Sequence, residues 1–152
     1  MKRSGRVFEG RALVGGIARG VALVLDEPLS FWGGVDPASG VIIDTRHPQA
    51  GASITGKVLA MPSGRGSSSS SSVMVEAMRA GTCSAATVLR RADDIVALGA
   101  LVGRELYGVE HPVVTLAGES WREIQSGDEV EVRAHGEVAT VTITESSRSD
   151  SV

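Results

Sequence analysis

Six consecutive serines, Ser67 to Ser72, follow Pro62-Ser63-Gly64-Arg65-Gly66. Hydroxyls, a guanidinium and two glycines at this spacing suit an anion-binding or catalytic loop. Glycines let backbone N–H groups approach a ligand closely. A helix starting after the loop adds aligned N–H donors and a partial positive charge. Arg65 supplies a fork of donors that matches a carboxylate or a phosphate. In that field a serine oxygen gives up its proton more readily, because the developing alkoxide is stabilised. The segment is not a P-loop, since no Gly-Lys-Ser/Thr stands at the required spacing. It is not a nucleophile elbow, since Gly-x-Ser-x-Gly is absent. A flexible Gly/Ser linker has the same composition. Against that reading, the run lies between a core strand and an amphipathic helix, and a helix cap needs one serine, not six.

The other residues with chemical potential are few. Pro28 to Gly40 reads as a long loop, and it carries Ser30, Phe31 and Trp32 in a chain with only 3% aromatics. Trp32 reads either as local packing or as an anchor against another protein. Asp36 before Pro37 makes a turn. His47 before Pro48 reads as structural rather than as an acid–base group. Cys83 reads as a small buried hydrophobe.

The elements that must position these residues follow from apolar patterning. Arg11 to Val14, Val21 to Leu25, Val41 to Ile43 and Lys57 to Met61 are short apolar runs bounded by glycine or proline, and they predict strands. Val73 to Ala80 predicts a helix closed by Gly81. Thr87 to Leu89 predicts a strand. Ala92 to Tyr107 predicts a second helix, with Asp93 and Asp94 in its first turn and Ile95, Leu98, Val102 and Leu106 at helical spacing. Val113 to Leu116 predicts a strand. Glu129 to Arg133 and Glu137 to Thr144 alternate as a hairpin joined by Ala134-His135-Gly136. The order places a strand–helix–strand–helix–strand centre between strands and a closing hairpin. We expect one α/β domain over 1–152 with a mixed, barrel-like sheet and flanking helices. Its core is expected over about 7–145, with a polar tail at 146–152.

Composition narrows the function classes. The 152 residues carry a formal net charge of −3 and are 42% hydrophobic, figures of a globular chain. A mildly acidic, aromatic-poor chain is a weak candidate for nucleic-acid binding. No apolar run has the length of a signal peptide core or a membrane span, so a cytoplasmic protein without membrane contact is expected. One cysteine and three scattered histidines predict no metal site within the chain.

Two stretches together carry a family resemblance: Glu27-Pro28-Leu29-Ser30-Phe31-Trp32-Gly33-Gly34-Val35-Asp36-Pro37 and Leu59-Ala60-Met61-Pro62-Ser63-Gly64-Arg65-Gly66-Ser67-Ser68-Ser69. They resemble the small-subunit, swivelling domain of the aconitase X family. The likeness extends from about Gly10 to Leu116 and includes His47-Pro48 and the Gly51 to Gly56 segment. It implies a swivelling β/β/α domain that serves a hydro-lyase. A large catalytic subunit would carry an iron or iron–sulfur centre and most of the pocket, and this chain would bind no cofactor by itself. The resemblance points to Ser67 as the catalytic base, although the run itself does not single out one serine. Gly64, Arg65, Gly66 and Ser68 would meet a small anionic substrate. Ser30, Phe31 and Trp32 would face the large subunit. Members of the family dehydrate cis-3-hydroxy-L-proline or 5-phosphomevalonate, and the former is expected here. The competing reading is a non-catalytic anion-binding or carrier module. Gly81 to Ala86 also faintly resembles a swivelling phosphohistidine domain, but Ser84 stands where that chemistry needs a histidine.

Overall fold

A computed structural model describes residues 5–144. The tail expected at 146–152 lies outside the described residues. Seven strands close into a barrel in the order β1-β7-β6-β5-β2-β8-β9. They are β1 (Arg6–Val14), β2 (Gly16–Val24), β5 (Val58–Met61), β6 (Ala86–Leu89), β7 (Val113–Thr115), β8 (Glu129–His135) and β9 (Val138–Thr144). A two-stranded ribbon, β3 (Val35–Asp36) with β4 (Val41–Ile42), lies in the long segment between β2 and β5. The helices are α1 (Ser68–Ala80), α2 (Asp94–Tyr107) and a single turn, α3 (Gly118–Trp121).

The central parallel strands run β2, β5, β6, β7, and the remaining pairs of the barrel are antiparallel. Alternation on β5 and β6 divides the core in two, because successive side chains point to opposite faces. Val58, Ala60, Ala86 and Val88 join the lumen cluster with Val130, Val132, Val141 and Ile143. Leu59, Met61 and Leu89 face outward and pack with Met74 and Met78 of α1 and Val96 and Ala100 of α2. Trp121 plugs the lumen cluster and donates its indole N–H to the Val88 carbonyl at 3.1 Å. The barrel closes tightly where β1 lacks a side chain: a Cβ at Gly10 would strike the Thr115 backbone.

The predicted elements are all present, joined by two that the sequence did not predict, β3 inside the segment read as loop and the single turn α3. Four further corrections follow. Strands β1 and β2 each run nine residues, longer than their apolar cores, because the exposed side of each carries residues such as Glu9 and Arg19. Helix α1 begins at Ser68, so five of the serines are helical rather than loop. The hairpin turns at Gly136-Glu137, since Ala134 and His135 still belong to β8. The predicted apolar stripe of α2 is not the buried one. Leu98 and Leu106 are exposed, and the buried face is Val96, Gly99, Ala100 and Gly103. A Cβ at Gly99 would lie 2.8 Å from Met74 Sδ, and one at Gly103 would collide with the Met78 thioether. Close approach of the two helices, not side-chain hydrophobicity, therefore selects the inner face of α2.

Candidate functional site

Strands β5 and β6 end side by side at Met61 and Leu89, and their following loops are tied together. The Pro62 carbonyl accepts N–H bonds from both Arg90 and Arg91, at 3.2 and 3.0 Å. From that anchor the chain runs through Ser63 to Gly66 and enters α1. Ligands of α/β sheets gather at this end, outside the carboxyl ends of parallel strands.

Each residue of the loop has a distinct place. Gly64 is half-buried between the N-terminus of α2 and Leu29, with which it forms an isolated bridge. A Cβ there would meet Asp93 Cγ and Val96 Cγ2, each at 2.8 Å. Gly64 is thus a close-packing glycine. Arg65 is exposed, and its guanidinium makes no hydrogen bond or ion pair among the described residues. Gly66 holds φ +107°, and a Cβ would lie 2.5 Å from Ser70 Oγ and 2.6 Å from Ser30 Oγ. Only glycine fits that position.

Helical geometry gives the six serines different roles. Ser67 is the N-cap of α1, and its exposed Oγ accepts the Ser69 N–H at 3.4 Å. Ser68, Ser69 and Ser72 are exposed. Ser70 and Ser71 are buried. Ser70 Oγ is 2.8 Å from Ser30 Oγ and accepts the Trp32 N–H at 3.3 Å. Ser71 Oγ donates to the Ile95 carbonyl of α2 at 2.7 Å. No acidic residue stands in the first turn of α1, so its N-terminal N–H dipoles are not offset there. A negative charge on Ser67 Oγ would sit where those dipoles favour it.

Ser30, Phe31 and Trp32 separate. Phe31 is only 2% exposed and belongs to the outer core with Leu29 and Val35, which corrects its expected place at an interface. The backbone turns there to pack an aromatic ring into a small chain's core. Ser30 is half-buried, with its hydroxyl bonded inside the loop. Trp32 is 65% exposed and stands over the start of α1.

Three residues in this region, Ser70, Ser71 and Arg91, carry no sequence signal of their role. Ser70 and Ser71 are hidden in a homopolymer. Arg91, exposed beside the loop, reaches Ser63 Oγ at 3.4 Å. Asp93 caps α2 by accepting the Val96 N–H at 2.9 Å.

The remaining candidates are structural. His47 is buried, accepts the Gln49 N–H at Nδ1 and bonds the Glu27 carbonyl through Nε2. Burial pushes the Cys83 thiol up to about 11, leaving it protonated and inert near neutral pH. His111 donates from Nδ1 to the Ser84 carbonyl at 3.0 Å and pairs with Thr87 Oγ1 through Nε2 at 2.8 Å. Burial holds its imidazole down to about 4. Ser84 itself is buried, so Gly81 to Ala86 offers no exposed group to carry a phosphate. Among the described residues no three His, Cys, Asp or Glu side chains come together as a metal site. None of the helices described is long and apolar enough to cross a membrane.

Comparison with known proteins decides what this arrangement is. A family profile described as "Aconitase X swivel domain" matches residues 7–142. The chain belongs to the aconitase X swivel-domain family. The swivel domain is 40% identical over 136 residues to the phosphomevalonate dehydratase small subunit of Pyrococcus furiosus, covering 90% of this chain and 94% of that one. It is 47% identical over 114 residues to the cis-3-hydroxy-L-proline dehydratase of Pseudomonas aeruginosa, covering 75% of this chain. The chain spans about a fifth of the length of the cis-3-hydroxy-L-proline dehydratases it matches. The crystal structure of Thermococcus kodakaraensis aconitase X in its holo-form superposes with a TM-score of 0.80 at 34% identity. That match covers 92% of this chain and 99% of the other.

Proposed function

We propose that the swivel domain is the small subunit of a hydro-lyase and supplies the catalytic base, Ser67, to an active site completed by a large subunit. The observation that carries this reading is the open valence of Ser67. Its oxygen is exposed, caps a helix with no acidic first turn, and follows a glycine that no other residue can replace.

Dehydration of a hydroxy acid breaks a C–H and a C–O bond and forms a C=C bond. In its alkoxide form, Ser67 Oγ takes the proton from carbon. The C–H electron pair becomes the double bond, and the hydroxyl departs with the C–O pair. The N–H groups at the start of α1 stabilise the alkoxide before transfer. Arg65, whose guanidinium has no partner among the described residues, holds the substrate's carboxylate or phosphate, and the Gly66 backbone and Ser68 lie beside it in the loop. Acceptance of the leaving hydroxyl falls to groups outside the described residues. In this reading the iron or iron–sulfur centre lies in the large subunit; among the described residues of this chain no three His, Cys, Asp or Glu side chains come together.

The substrate is a small hydroxy acid, with cis-3-hydroxy-L-proline favoured by the 47% identity to the Pseudomonas aeruginosa enzyme. The dehydratase named for phosphomevalonate has the better-matched length, so 5-phosphomevalonate is the substrate to test beside it. The test is turnover of both substrates by the chain assembled with its large subunit. Ser67→Ala and Ser67→Gly should each lose roughly 10²–10⁴-fold in kcat, the usual range for removing a general base. Glycine is a tolerated N-cap, so the second variant separates catalysis from helix capping. Near-normal turnover in both would remove Ser67 as the base and leave a loop that only holds an anion.

A further inference from the structure

We infer that Ser70 and Ser30 form a positioning clasp that couples the Trp32 loop to the Gly66-Ser67 loop, so that the placement of Ser67 depends on the placement of Trp32. The inference deepens the assignment of Ser67 as base and rests on it for its kinetic consequence.

The clasp is a closed circuit of hydrogen bonds between residues 40 positions apart. The Trp32 N–H donates to Ser70 Oγ at 3.3 Å, and Ser70 and Ser30 share a 2.8 Å bond. Ser30 Oγ donates to the Trp32 carbonyl at 3.1 Å. One proton direction satisfies all three: Trp32 N–H to Ser70, Ser70 O–H to Ser30, Ser30 O–H to the Trp32 carbonyl. The Arg65 carbonyl lies 3.4 Å from the same Ser70 hydroxyl. Ser70 is only 4% exposed, and both serine oxygens lie where a Cβ on Gly66 would stand. The left-handed backbone of Gly66 is therefore packed against the clasp itself. Gly66 is bonded covalently to Ser67 on one side and Arg65 on the other. Trp32, at the far side of the circuit, is 65% exposed. A protein that docks on the indole would move the Trp32 backbone, and the clasp would transmit that to the base.

Nothing else in the serine run can do this. Ser71, equally buried, is tied to the Ile95 carbonyl of α2 and not to the loop. It serves as the internal control, because its loss should loosen the α1–α2 contact without touching the clasp.

The experiment uses the full chain labelled with 5-fluorotryptophan. The sequence holds two tryptophans, Trp32 and Trp121, so two fluorine resonances are expected and Trp32→Phe assigns them. Ser70→Ala and Ser30→Ala should each shift and broaden the Trp32 resonance and leave Trp121 in place. In the assembled enzyme both should lower kcat by roughly tenfold with KM changed less than about twofold, because a displaced base weakens chemistry more than binding. The double variant should lose no more than the worse single one. Ser71→Ala should leave the Trp32 resonance and kcat at wild-type values. An unmoved Trp32 resonance in Ser70→Ala, or an equal kcat loss in Ser71→Ala, overturns the clasp. If Ser67→Ala keeps its turnover while Ser70→Ala still moves Trp32, the base assignment falls and the clasp stands.

Discussion

The two ends of the parallel strands β5, β6 and β7 hold similar side chains in opposite states. At the amino ends, Ser84, Thr87 and His111 are buried, and each His111 nitrogen has a partner. At the carboxyl ends, Ser67, Ser68 and Arg65 are exposed, and among the described residues the only bond their side chains make is the long Ser69 N–H contact to Ser67 Oγ. A histidine and a hydroxyl 2.8 Å apart have the look of catalytic machinery, yet they are closed in on themselves. The serine that points outward has no base beside it, but it is exposed and caps a helix terminus. Residue type alone ranks the closed end first. Access and unengaged side chains rank the Ser67 end first, which is the order the proposed function requires.

The sharpest way to break this comparison is to cut each end separately. Gly66→Ala forces a Cβ onto the Ser70 and Ser30 oxygens in a backbone conformation that alanine avoids. It should displace the loop and lower kcat by at least about 10²-fold in the assembled enzyme, the effect of a misplaced catalytic group. His111→Gln should do the reverse. It disturbs the bonds to Thr87 and Ser84 inside the barrel wall and should cost about 2–4 kcal/mol in urea unfolding at pH 7. Turnover per folded molecule should stay within about twofold of wild type, an expectation that follows from its distance from any open group. Equal damage to turnover from both changes would show that the two ends do not differ in function.

The closed end also carries a pH signature. His111 in the folded chain is held near 4, below its ordinary 6.5, because burial disfavours the cation. Between these values the unfolded chain binds the extra proton, so stability is complete above pH 6.5 and falls as pH drops toward 4. A shift of that size corresponds to about 3 kcal/mol. Urea unfolding of the wild type at pH 7 and pH 4.5 should show most of that loss. His111→Gln should show a flatter profile. Parallel profiles for the two would assign the acid sensitivity to other groups.

A smaller effect is expected where α1 meets α2. Gly103→Ala drives a methyl into the Met78 thioether, a flexible partner that gives way in part. Overpacking of this kind costs about 1–3 kcal/mol, so a midpoint shift in urea toward the low end of that range is expected, with kcat unchanged.

Much of this fold was legible because it is local. Gly81 closes α1 as expected, Gly108 closes α2 in the same left-handed conformation, and the alternation of Val130, Val132, Val141 and Ile143 matches the lumen. The errors share a physical cause. Phe31 sat in a segment of glycines and prolines that reads as loop, but the loop folds back to fill the outer core. The leucines of α2 lost their expected place because Met74 and Met78 fit closer against Gly99 and Gly103 than leucine would allow. The serine run carries no internal pattern, so its helical phase is set by contacts 24 and 40 residues away. The resemblance placed the site on this loop. Only the fold distinguishes one serine from the next.

That distinction yields the smallest and most discriminating expectation. Ser72 is exposed inside α1, and its hydroxyl makes no hydrogen bond among the described residues. Serine is a poorer helix former than alanine, because its hydroxyl competes for backbone groups and favours caps. Ser72→Ala should therefore raise stability by about 0.3–0.5 kcal/mol, measured as a higher urea midpoint. It should leave kcat, KM and the Trp32 resonance where they were. The same substitution five positions earlier, at Ser67, removes a cap and, on the proposed function, the base, and should move every one of those readouts. A serine-to-alanine scan from Ser67 to Ser72 would then trace the turn of a helix in kinetic data, with losses at the cap and the clasp and a gain at Ser72. A uniform loss along the run would mean that the serines act as a polar tract rather than as individually placed groups.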